Sequence, residues 1–179
     1  MTLPRAALHY AEGGRVIGPT WPRERRPLHP GGIETFTSDL ETVRAWWGKS
    51  PNSNIALALG RSGLLAVCVD SPEGGSSAAW LGLLSVPTMR IETGAALYLL
   101  FQRPDFDVGS RQLAPEVSVR CDGRFILLPP SVIPGARYTW NGTRAIAKLP
   151  PMAMNILGKA RPCSAPAAPG DPLAARGVR

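Results

Sequence analysis

The sequence predicts a mixed α/β domain of the α+β kind, and three observations carry that prediction. Two segments before residue 50 repeat apolar residues at helical spacing, a series of short apolar runs follows them, and nothing repeats at a fixed period. At 179 residues with 44% hydrophobic content, the chain can fill one substantial core. One domain over residues 1–160 is expected. The remaining RPCSAPAAPGDPLAARGVR, residues 161–179, is rich in Pro, Ala and Gly and is expected to be a flexible tail.

Leu3, Ala6, Ala7 and Tyr10 recur on one helical face and Gly13-Gly14 follows, which predicts an opening helix and then a short strand over Arg15–Ile17. Residues 18–36 hold four prolines and the run Arg23-Glu-Arg-Arg26, so a long loop with a basic tip is expected there. Ser38-Asp-Leu-Glu41 has the spacing of a capping box, and Leu40, Val43, Trp46 and Trp47 give the helix it opens an apolar face.

Two apolar runs, 54–59 and 64–69, are separated by Gly-Arg-Ser-Gly, the punctuation of a hairpin. A small helix over Ser76–Leu84 precedes Pro87. Strands are then expected at 88–91, 97–101, 117–120, 125–128 and 138–140, with Asn141-Gly142 as a turn. A last helix starts near Pro151, since proline is tolerated in a first turn.

Charge narrows the function classes. Twenty Lys and Arg against thirteen Asp and Glu leave a net charge of +7, which favours polyanions or is simply a solvated surface. Three well-separated cysteines make neither a disulfide framework nor a paired zinc motif, which fits a reducing cytoplasm. No signal core and no apolar run near the roughly 18 residues of a membrane span is visible. A soluble internal protein is the expectation.

Several motifs fail. Gly48-Lys49-Ser50 ends a helix and lacks the first glycine of a phosphate loop. His9 and His29 are the only histidines, so Cys68 has no evident partner for nucleophilic catalysis and reads as a small buried side chain. Asn141-Gly-Thr143 fits a turn better than a glycan acceptor.

The stretch GLLAVCVDSPEGG poses the sharper question. Cys68 and Asp70 are two apart on a strand and share a face, where a hard cation would want two oxygen ligands. Read alone, Asp70 before Ser-Pro is either such a ligand or a turn former.

Taken in order, AALHYAEGGRVI, TSDLETVRAWWGKSPNSNIALALGRSGLLAVCVD, VPTMRIETGAALYLLFQRP, VSVRCDGRFILLPPSVIPGARYTW and KLPPMAMNILGKA resemble the N-terminal domain of bifunctional DNA primase/polymerases. That family is a branch of the archaeo-eukaryotic primases, and the chain looks like the short stand-alone versions of high-GC Gram-positive bacteria. The resemblance covers nearly all of residues 5–160. It implies a small N-terminal α/β unit joined to a sheet like that of an RNA-recognition motif. It also implies template-directed phosphodiester formation with two divalent metals held by carboxylates.

Carried over position by position, the resemblance implies a degenerate site. The family's first motif is D-x-D or D-x-E, and here its acids fall on Cys68 and Asp70. A third acid, two residues before the Arg of R-x-D-G, falls on Ser118, and the histidine that touches the incoming nucleotide's phosphates falls on Tyr98. A largely protonated thiol is a poor ligand for magnesium or manganese. Asp70 is then the remnant metal ligand, and the cofactor is none or a weakly bound Mg or Mn. Glu73 and Asp122 are candidate replacement ligands.

Arg120 matches the family and is assigned either to phosphate contacts or to an ion pair with Asp122 or another acid. Arg23, Arg25 and Arg26 complete the candidate nucleic-acid contacts, and Pro129-Pro130-Ser131 is expected to be a backbone turn. The implied function is that of a primase-polymerase-like protein of DNA replication or a mobile element, impaired in catalysis and retaining nucleic-acid or nucleotide binding. The alternatives are an active manganese-dependent primase/polymerase and a protein-interaction module. Partners implied are DNA and a separate helicase or replication protein, with oligomeric state open.

Overall fold

The computed structural model describes residues 1–71 and 74–159. Glu73, Cys163 and the expected tail lie outside the described residues. Helix α1, Leu3–Glu12, buries Ala6, Ala7 and Ala11 and takes Pro4 in its first turn. Strand β1 runs Ile17–Thr20 rather than 15–17, reaching into the expected loop. It pairs only with β2, Asn54–Ala58, in its sheet, and an edge strand is where Pro19 does least harm.

Helix α2, Leu40–Lys49, is capped by Asp39 and not by Ser38: the Thr42 N–H donates to Oδ2 of Asp39 at 2.8 Å. Val43 and Trp47 are its buried residues, and the Trp47 indole donates to the Ser53 carbonyl at 3.0 Å. Gly48-Lys49-Ser50 closes this helix, as expected of a failed phosphate loop.

The expected hairpin is not formed. Strand β2 lies in a three-stranded antiparallel sheet between β1 and β8 (Phe125–Leu128), whereas β3 (Leu64–Val69) belongs to a six-stranded antiparallel sheet. The Gly60–Ser62 turn, closed by Gly63 at φ +69°, hands the chain from one sheet to the other. Both strands are buried at every position, so each is covered on two faces, whereas a hairpin with one wet face would alternate.

Short helix α3, Gly74–Trp80, overlaps the segment expected to be helical, Ser76–Leu84, but starts two residues earlier and stops four residues earlier. The larger sheet then gathers β4 (Arg90–Glu92), β5 (Leu97–Gln102), β6 (Arg111–Ala114) and β7 (Val117–Arg120). After β8 come a two-stranded ribbon of β9 (Val132–Ile133) and β10 (Ala136–Arg137), then β11 (Thr139–Asn141). The order across the larger sheet is β11-β4-β5-β3-β7-β6. Helix α4, Pro151–Lys159, closes the described chain.

Two cores result. Helices α1 and α2, the three-stranded sheet and one face of the larger sheet, through Ala66, Cys68, Tyr98 and Leu100, share the first. The opposite face, through Leu65, Val67, Val69, Leu99, Phe101, Val117 and Val119, shares the second with residues of α3 and α4. The mixed α+β class is therefore as the sequence predicts. No helix among the described residues is long and apolar enough to cross a membrane.

Candidate functional site

The site grows out of strand β3, central in the larger sheet because its six consecutive apolar residues tolerate neighbours on both edges and cover on both faces. Register places Cys68 opposite Tyr98 on β5 and opposite Ser118 on β7. Directly opposed residues of antiparallel strands project to the same side, so Tyr98, Cys68 and Ser118 form one row. One step along, Ala66 faces Arg120.

Asp70 follows the last strand residue. Its N–H donates to the Glu116 carbonyl at 3.0 Å, and its exposed carboxylate accepts from the Ser118 hydroxyl at 3.5 Å, a long bond at best. The structure thus brings together Cys68, Asp70, Ser118, Tyr98 and Arg120, five positions the sequence singled out.

The basic tip does not act as a unit. Arg26 stays in solvent, paired with Glu24 at 3.2 Å and lying 5.0 Å over the Trp21 ring, and Arg23 is equally exposed. Arg25 turns toward the sheet and donates through Nε to the Tyr138 hydroxyl at 3.1 Å. Tyr138 in turn lies against Tyr98, ring centroids 6.3 Å apart and tilted by 30°. Sequence reasoning missed Tyr138 altogether; its one signal was an aromatic residue on the inward side of the strand expected at 138–140.

Burial decides the protonation of this row. Cys68 has no exposed surface, and burial above all, helped by the neighbouring Asp70 charge, pushes its thiol up to about 11 against the opposing pull of Arg120, Ser118 and Arg25. Burial likewise pushes the Tyr98 phenol up to about 12. At neutral pH the row is a neutral thiol between two neutral hydroxyls, with one carboxylate at its end and two guanidiniums close enough to act on it.

Asp122 is not available to this row. It accepts both arms of Arg103, Nε to Oδ1 at 3.0 Å and Nη2 to Oδ2 at 3.1 Å, and also the Val108 N–H at 3.2 Å. Its ion-pair partner is therefore Arg103 and not Arg120, and the Arg120 side chain donates to no side chain or carbonyl among the described residues. Pro129-Pro130, joined by a cis peptide, and Ser131 serve the fold: the buried Ser131 hydroxyl accepts the Ile55 N–H at 2.9 Å. A cavity of about 580 Å³, walled by Tyr10 and Trp140 over Leu57, Leu64 and Leu100, opens elsewhere along the same seam and touches none of the predicted site residues.

Residues 7–152 match the family described as bifunctional DNA primase/polymerase, N-terminal. The chain belongs to that family. No curated protein matches it as a relative. Primase/polymerase domains usually use divalent metals, and the described residues of this one do not fit a pair of such ions. No three His, Cys, Asp or Glu side chains among the described residues are grouped so as to hold a metal, and the row offers a single carboxylate beside a protonated thiol. In this primase/polymerase domain the R-x-D-G stretch splits in two: Arg120 faces the row, and Asp122 braces the strand connection through Arg103.

Proposed function

We propose that this chain is a primase-polymerase-like protein of DNA replication or of a mobile element, working in the cytoplasm, that has lost nucleotide polymerisation and keeps nucleic-acid binding. The observation that carries this reading is the row Tyr98-Cys68-Ser118, without a carboxylate on any of the three strands, with Asp70 as its one anion among the described residues. Two divalent ions bring four positive charges into a site that already holds two guanidiniums. One exposed carboxylate is too little to offset their mutual repulsion and the loss of their hydration. Without those ions nothing activates the 3′-hydroxyl or neutralises the leaving pyrophosphate, and each 1.36 kcal/mol of lost stabilisation costs a factor of ten in rate. The net charge of +7 and the exposed Arg23 and Arg26 support retained affinity for DNA.

The test is primer extension on a primed template with labelled deoxynucleotides and manganese, run beside Asp70→Ala. The expected result is no product from either protein, together with salt-sensitive DNA binding at about 50 mM salt that Asp70→Ala leaves unchanged. Extension by the wild-type protein that disappears in Asp70→Ala defeats the proposal. Absence of DNA binding at low salt would make the protein-interaction module the better reading.

A further inference from the structure

We infer that replacement of the acids has reversed the sign of the site, so that it seats a phosphoryl oxyanion directly, between Arg25 and Arg120, with no divalent cation. This rests on the reading that the metal chemistry is gone and deepens it by naming the ligand: the polyphosphate of a nucleotide.

Three observations converge. Arg120 is in register with Ala66, beside the row, and its guanidinium donates to no side chain or carbonyl among the described residues. Arg25 is held near the row by one donated bond to Tyr138, whose ring lies against Tyr98, and this bond uses Nε alone and leaves the Nη groups for contact to phosphate. Tyr98, Cys68 and Ser118 bring no carboxylate to the row, and the phenol and hydroxyl are further donors.

Two cations therefore outnumber the one carboxylate among the described residues, and the sheet beside them is apolar at Ala66 and Ile91, in register with Arg120 and Tyr98. A low-dielectric neighbourhood strengthens each charge-assisted bond. A carboxylate-rich pocket attracts phosphate only through the metals it holds. Here a metal would compete with the ligand, since both guanidiniums repel it.

Isothermal titration of the full chain with inorganic tripolyphosphate in EDTA tests this directly. Saturable binding without divalent ions is expected, unchanged or weakened by added Mg²⁺. Arg120→Gln and Arg25→Gln should each weaken it by about ten-fold or more, while Arg44→Gln, exposed on α2, should leave it unaltered. Cys68→Asp should abolish metal-free binding, and Asp70→Asn, which removes the one repelling charge, should tighten it several-fold. Thermal melting of each variant separates loss of affinity from loss of fold, and Arg25→Lys, retaining charge without the fork, should lie between wild type and Arg25→Gln.

Binding that requires Mg²⁺, no binding at all, or binding indifferent to both arginine substitutions overturns the inference. These failures are distinct from failure of the proposed function, which is read in primer extension. Mg²⁺-dependent binding without extension sinks only the metal-free seat, whereas Mg²⁺-dependent binding with Asp70-dependent extension sinks both.

Discussion

The two faces of the six-stranded sheet are made by the same strands and differ in everything else. On β3, Leu65, Val67 and Val69 enter the core shared with α3 and α4, while Ala66 and Cys68 turn toward the three-stranded sheet. On β7 the contrast is sharper still: Val117 and Val119 are fully buried, and Ser118 and Arg120, the residues in between, are only half-buried. One face is a dry hydrocarbon layer whose identity is fixed by volume. The other carries hydroxyls, a thiol and two guanidiniums whose identity is fixed by charge. Parity of position along a strand decides which rule a residue obeys.

Substitutions at neighbouring positions sharpen that contrast. The largest effect is expected from Val67→Asp against Cys68→Asp. The first puts a charge into a layer with nothing to pair it and should cost more than about 4 kcal/mol, enough to prevent isolation of folded protein. The second puts the same charge one residue later, beside Arg25 and Arg120, and should stay folded with a urea-derived loss below about 2 kcal/mol. Equal losses at both positions would break the comparison.

Truncation gives the next contrast. Phe101→Ala, in the dry layer, should lower stability by about 3–5 kcal/mol in urea titration.

Alkaline pH reads the two thiols. In the unfolded chain both ionise near 9.0, whereas in the fold Cys68 is raised to about 11 and Cys121, on the dry side, to about 12. A raised acid favours its neutral form when folded, so this contribution is complete below pH 9 and is lost as pH climbs through the folded values. The melting temperature should therefore fall from pH 9 upward, and Cys68→Ala should flatten the part of the decline that ends near pH 11. No flattening would place Cys68 outside the buried row. The smallest change is Ser118→Ala, which removes one half-exposed hydroxyl and a long bond to Asp70 and should shift stability by less than about 0.5 kcal/mol.

The sequence made the fold class and several boundaries legible for physical reasons. Strands β7 and β8 fall where expected because the alternating Val-Ser-Val-Arg and the apolar Phe-Ile-Leu-Leu, set between Glu116, the Asp122-Gly123 turn and Pro129, have nowhere to slip. The assumed hairpin of β2 and β3 failed because Gly-Arg-Ser-Gly specifies a reversal but not a partner. The clue lay in the runs themselves, apolar at consecutive and not alternate positions, which is how strands enclosed from two sides read.

The site was legible where resemblance supplied register, at Cys68, Asp70, Tyr98, Ser118 and Arg120. It was illegible where contacts are remote. Nothing local ties Arg25 to Tyr138, 113 positions further on, or Asp122 to Arg103, and the nearer arginine, Arg120, is the wrong choice for Asp122.

The reach of Arg25 has a consequence for control. Its loop belongs to the smaller sheet's side of the molecule and is hooked to the larger one by a single donated bond, the one to Tyr138. Such a bond contributes a net 0.5–1.5 kcal/mol or so, an equilibrium shift of about ten-fold at most. Unhooking disturbs neither core. A partner that held this loop aside would disarm capture of phosphate while leaving the scaffold untouched, so the domain carries a low-energy latch between its halves.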